Sequence, residues 1–158
     1  MPTVEVTFTP LPAHVRTARL IATAVARRSG VDESLLDEVR LAVGEACSRA
    51  VEAHRLHCPA ELIRVALTDD GERFEVVVTD AAPSDLDTTG AAASSVAGTA
   101  GTPHAMAGAV VVDGIVQQLP AGVGLAVIAG LADDVRVTPA NCGTSIAMSW
   151  KRRAVPAR

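Results

Sequence analysis

With 158 residues, 49% of them hydrophobic and 20% charged, the chain is sized for one domain around one core. A formal net charge of −4 and an aromatic content of 2% argue against a nucleic-acid surface, which needs clustered basic groups or rings on which bases stack. No apolar run approaches the roughly 20 residues of a membrane span, and the start, MPTVEVTF, lacks the basic region and apolar core of a signal peptide.

The expectation is therefore a cytoplasmic protein with no membrane partner. Its cysteines, Cys47, Cys58 and Cys142, form no CxxC pair and are expected to be free thiols. In chain order, Val4, Val6 and Phe8 alternate with Thr3, Glu5 and Thr7, the pattern of a half-buried strand that Pro10 and Pro12 end. Residues 13–29 read as a helix with Val15, Ala18, Ile21, Ala22 and Val25 on one face, closed by Gly30. A second, longer helix starts with Asp32 as N-cap and runs to about His54. Its apolar stripe is Leu35, Val39, Ala42, Val43, Ala46 and Ala50. Glu38, Glu45, Arg49 and Glu52 flank that stripe, and Leu41 points away from it.

Pro59 breaks the chain. Residues 62–67 and 74–78 read as two strands joined through Asp69-Asp70-Gly71, a good hairpin signal. Residues 81–106, rich in Ala, Gly, Ser, Thr and Pro, read as a flexible loop or lid. The apolar patch 110–116 around Gly114 fits either a helix or strands. Residues 121–131 form a short helix opening on glycines, and 135–138 and 144–150 a final strand pair. Lys151, Arg152, Arg153 and Arg158 lie in a basic tail, 151–158, expected to be frayed beyond a single domain of 1–150. The economical architecture is an α/β, more narrowly α+β, sandwich: a mixed, mostly antiparallel sheet with helices on one face.

Three features stand where a nucleotide pocket is commonly built. They are the helix segment from Arg40 through Glu45 and Arg49, Asp80 just past a strand, and Gly122-Val-Gly124-Leu at a helix start, with Gly143-Thr144 opening the last strand. A glycine-rich helix N-terminus offers free backbone N–H groups to phosphate, and a carboxylate at a strand end can accept the adenine amino group. Each feature has a plainer reading. Glu45 and Arg49, four apart with the acid first, suit a helix-surface pair. Asp80 suits a turn cap. Gly122 and Gly124 suit a tight helix entry. His54, His57 and Cys58 suit a frayed helix end rather than zinc ligands, so no metal site is expected. Leu41 and the acids beside it suit either a solvated face or a partner surface.

Taken in order and spacing, these features resemble the GHKL ATPase fold, a Bergerat-type sheet covered on one face by helices. More narrowly, they resemble the bacterial anti-sigma factors that are also serine kinases of partner-switching systems. The likeness runs from Thr3 to Trp150. The family pattern LAVxEAxxNAxxHA is met here by LAVGEACSRAVEAH. By resemblance, Glu45 falls on the catalytic base, Asp80 on the adenine-reading acid, Gly122 and Gly124 on the second glycine box, and Gly143-Thr144 on the late pair that supports the adenine site. Arg49 falls on the Asn that holds Mg²⁺, and the DxGxG that should begin at Asp80 is Asp80-Ala-Ala82-Pro-Ser84. A guanidinium has donors only and cannot ligate a cation. ATP binding is therefore expected to be weak or absent, magnesium is not expected, and efficient kinase activity is not expected. The resemblance implies an anti-sigma factor that sequesters an alternative sigma factor of the stress or sporulation class, opposed by a STAS-domain antagonist, with a homodimer as the family tendency. Two rivals stand beside it: an active kinase phosphorylating that STAS protein, and a module that binds only a STAS protein.

Overall fold

The computed structural model describes residues 2–83, 109–112, 115–118, 123–140 and 142–152. The alternating N-terminal segment forms β1 (Thr3–Phe8). Helix α1 (Pro12–Arg28) follows, with Pro12 in its first turn, where a missing N–H costs nothing. It ends as expected on Gly30, whose φ of 82° opens a left-handed turn in which the Val31 amide reaches the Ala26 carbonyl. Asp32 caps a short 3-10 turn (Glu33–Leu35) through the Ser34 amide at 3.0 Å, and α2 (Leu36–His57) continues from it. This helix runs one turn beyond the expected end at His54.

Strands β2 (Ile63–Asp69) and β3 (Arg73–Thr79) form the anticipated hairpin. Its turn is tied by side chains. Asp69 accepts from the Gly71 amide at 2.9 Å, and Asp70 accepts from Glu72 at 2.9 Å and Arg73 at 2.6 Å. Donation from the Arg73 and Glu72 amides holds the Asp70 carboxyl below its ordinary value. The ambiguous apolar patch is a small hairpin, β4 (Ala109–Val112) with β5 (Ile115–Gln118). Helix α3 (Val123–Leu131) and strands β6 (Asp134–Pro139) and β7 (Thr144–Lys151) complete the order. Of the expected 81–106 loop, only residues 81–83 are described; the remainder lies outside the described residues, as do Gly122 and 153–158.

The main sheet has the order β1-β2-β3-β7-β6. Every described pairing is antiparallel, so the fold mixes helix with strand and does not mix strand directions. Strand register stacks the core in rungs: Leu67 beside Val76 beside Met148, and Val65 beside Val78 beside Ile146. Those residues are buried, as are Ile63, Phe74 and Trp150, while the alternate positions are partly open, so one face carries the core. Helices α1 and α2 pack on each other and on this sheet, and α3 packs against α2 and β6. Val15, Ala18, Ala22 and Ala26 of α1 and Val39, Ala42, Val43, Ala46, Ala50 and Val51 of α2 are the buried face. Small alanines let the two helices approach closely. Among the described residues no helix is long and apolar enough to cross a membrane.

The expected basic tail begins too early. Lys151 is the last residue of β7, and Arg152 is anchored, its guanidinium on Asp69 Oδ1 and the Gly71 carbonyl, each at 3.0 Å. The β2–β3 turn supplies acceptors there, so ordered structure extends past residue 150. Trp150, the sole tryptophan, is fully buried beside Phe74 and donates through Nε1 to the Leu131 carbonyl at 2.9 Å, tying α3 to the sheet. Trp150→Ala is expected to cost about 3–5 kcal/mol through lost burial and a cavity. Urea unfolding followed by circular dichroism checks this.

Candidate functional site

The pairing of β3 with β7 places Thr79 opposite Ser145, and the next residue, Asp80, continues the contact. Its amide donates to the Thr144 carbonyl at 3.0 Å. Its Oδ1 accepts from the Thr144 amide at 3.3 Å and from the Ala82 amide at 3.1 Å. The sequence left Asp80 between a turn cap and a ligand acceptor; the Ala82 bond makes it a turn cap, with both bonds on one oxygen. Gly143 makes this closeness possible. A Cβ there would overlap the Asp80 carbonyl group and crowd the Cα of Ala81, so the two backbones meet only because position 143 has no side chain. Burial raises the Asp80 carboxyl above its ordinary value, against the opposing pull of the Thr144 amide, the Arg49 charge, the Ala82 amide and His54.

Helix α2 supplies two of those influences. His54 is not frayed, as expected from sequence, but fully buried, because its ring finds backbone partners at both nitrogens. Nε2 accepts from the Ala81 amide at 2.9 Å, and Nδ1 lies 3.1 Å from the Glu61 carbonyl. Arg49, one turn earlier, is half-buried, and its charge acts on Asp80. Glu45 behaves differently. It lines a groove of about 470 Å³ between α1 and α2, together with Val15, Arg19, Leu41, Glu52 and Arg55. Among the described residues no ion pair joins Glu45 to Arg49, so the simple helix-surface pair does not form. Gly44 lies on the groove floor, where Arg19 crosses it: a Cβ there would sit 2.5 Å from Arg19 Cδ.

Residues 8–150 match the model of the histidine kinase-like ATPase domain. The chain belongs to that family. Among solved structures, its fold is similar to part of the structure of the RsbU and RsbW domains of Rv1364c from Mycobacterium tuberculosis, with a TM-score of 0.61 and 18% identity. That match covers 98% of this chain and 33% of the other, so the chain spans about a third of that structure's length. No curated protein sequence matches it.

Within this ATPase fold the structure brings Asp80, Gly143 and Thr144 together and leaves Glu45 on the groove side of α2. Gly124 stands in the first turn of α3. Among the described residues no group of three His, Cys, Asp or Glu side chains could hold a metal. His57 is exposed, and Cys58 ends the helix with its amide on the His54 carbonyl at 2.8 Å. All three cysteines are free. Burial pushes the Cys47 thiol up to about 12, which leaves it an inert packing group. Sequence reasoning missed His54 and Arg19. The signal for His54 was its place on the buried stripe, four residues after Ala50. Arg19 had no such signal, because its partner surface is another helix.

Two glycines give a paired test. Gly143→Ala is expected to lose about 2 kcal/mol or more, because backbone must move to admit the methyl. Gly130→Ala, in α3 with open space around it, is expected to gain up to about 1 kcal/mol from helix propensity. Chemical denaturation of both variants checks the contrast.

Proposed function

We propose that this chain is an anti-sigma-type partner-switching regulator, cytoplasmic, that acts by binding other proteins and has impaired nucleotide chemistry. The observation that carries this reading is Asp80, buried and held by the Thr144 and Ala82 amides beside Gly143, in a chain with Arg49 at the family's metal-ligand position. The adenine end of the ATPase site is retained: Asp80 is aimed by Thr144 and Ala82, and Gly143 allows the approach. The metal end does not fit Mg²⁺. A permanent cation with donors only stands where the family pattern has an amide ligand. Such a charge can partly neutralise phosphate but cannot supply a metal's coordination geometry. Phosphoryl transfer relies on metal-assisted positioning, and no such step is derived for these residues.

The surface suits a protein partner. Leu41 is 52% exposed at the rim of the α1–α2 groove, where Glu45 and Glu52 are interspersed with Arg19 and Arg55. An apolar anchor ringed by both charges fits a helix laid into the groove. By family resemblance the ligands are an alternative sigma factor and a competing STAS-domain protein, with a homodimer as the bearing unit. Without a chemical release step, exchange depends on relative affinities and concentrations.

Calorimetry with ATP is expected to show weak binding that changes little when Mg²⁺ is replaced by chelator. Tight, chelator-sensitive binding, with phosphate transferred to a serine of the STAS protein, would promote the kinase reading. In pull-downs with purified sigma factor and STAS protein, Leu41→Arg is expected to weaken capture at least roughly tenfold, the scale of a lost interface anchor. Asp80→Ala should stay within about 1 kcal/mol of wild type. Capture of the STAS protein alone would favour the module reading.

A further inference from the structure

Each nitrogen of the His54 ring has one task. A backbone amide can only donate, so Nε2, which faces the Ala81 amide at 2.9 Å, carries a lone pair. Nδ1 then bears the ring proton and donates it to the Glu61 carbonyl at 3.1 Å. The ring is fully buried, so water does not substitute for either partner. The bonded groups come from three places: α2, the turn that follows it, and the segment just beyond β3.

The Ala81 amide belongs to the peptide that joins Asp80 to Ala81. The same peptide is met by Gly143, whose missing side chain leaves room for the Asp80 carbonyl. Its N–H is therefore held by α2, its carbonyl packs on the β6–β7 turn, and the carboxylate of the same Asp80 accepts from Thr144 and Ala82. A proton on Nε2 would set N–H against N–H and remove the link to α2. Asp80 at the end of β3 feels both His54 and Arg49, and Cys58, in the turn after α2, feels Asp80 and Glu61.

We infer that His54 is a positioning residue: as the Nδ1–H tautomer, bridging the Glu61 carbonyl and the Ala81 amide, it fixes the Asp80–Ala81 peptide and so aims the Asp80 carboxylate from helix α2. Its purpose rests on reading Asp80 as the ligand acceptor, but the geometry is present without ligand and is tested without it.

The test uses the full chain labelled with ¹⁵N. A long-range proton–nitrogen spectrum at neutral pH is expected to show His54 with Nδ1 protonated and Nε2 bare; the opposite tautomer overturns the inference. In His54→Leu, amide exchange at Ala81, Ala82 and Thr144 is expected to accelerate at least roughly tenfold while the β2–β3 ladder stays unchanged, the pattern of a local opening. Uniform acceleration across the sheet, or none, overturns it. His54→Gln, which offers one donor and one acceptor, is expected to restore part of that protection; no rescue by Gln counts against the proposal. If His54→Leu does not fold, acid titration of the wild type decides: the Ala81 and Thr144 amide resonances must move with the same midpoint as the His54 ring nitrogens, and independent midpoints overturn the inference. Failure of ATP to bind in a separate titration would count against Asp80 as a ligand acceptor alone and would leave the His54 geometry standing.

Discussion

The antiparallel pairing of β3 with β7 is the constraint on which the site depends. It sets Val76 beside Met148 and Val78 beside Ile146 in the core, and two residues further it delivers Asp80 to Thr144. The same ladder thus builds hydrophobic rungs at one end and a polar clamp at the other. Because side chains alternate across a sheet, a slip of one residue would turn the core outward, and burial of the rungs therefore holds the clamp in place. Gly143 completes the arrangement by letting two backbones meet where any side chain would part them.

Helix α2 serves two surfaces. Its buried stripe packs on the sheet, and Arg49 and His54 lie toward the clamp at the end of β3. The positions of Leu41, Glu45, Ser48 and Glu52 open instead on the groove beside α1. Residues spaced three or four apart share a helix face. Glu45 sits among these groove residues, whereas Arg49, four residues on, is not among them. Residues reaching the clamp and residues lining the groove thus stand on one helix. A partner in the groove and a ligand at Asp80 would bias the same helix.

Much of the fold is legible from pattern. Period-two alternation marks β1, although only Phe8 of that strand is buried, and short apolar runs bounded by turn residues mark β2, β3 and β7. Gly30 and the Asp69-Asp70-Gly71 turn are legible because their backbone conformations suit few residues. The region 110–116 is not legible: a short apolar run carries no period that separates helix from strand, and only pairing of Val112 with Ile115 makes it a hairpin. The end of β7 is misread for a related reason. Lys151 and Arg152 look like a solvated tail until Asp133, Asp69 and Gly71 appear beside them as acceptors.

The sequence by itself determined the order of the elements other than the 109–118 hairpin and most of the buried faces of α1 and α2, which follow from local periodicity, and the candidacy of Asp80, Gly143 and Thr144, which follows from residue types in an order that resembles a known family. Tertiary structure alone decided that His54 is a buried strut and not a frayed end, that Glu45 faces the groove while Arg49 acts on Asp80, and that Gly143 is obligatory. These are contacts between residues far apart in the chain. A hydrogen bond from Ala81 to His54 or a backbone approach of Gly143 to Asp80 leaves no periodic trace, because its partner is fixed by packing and not by spacing.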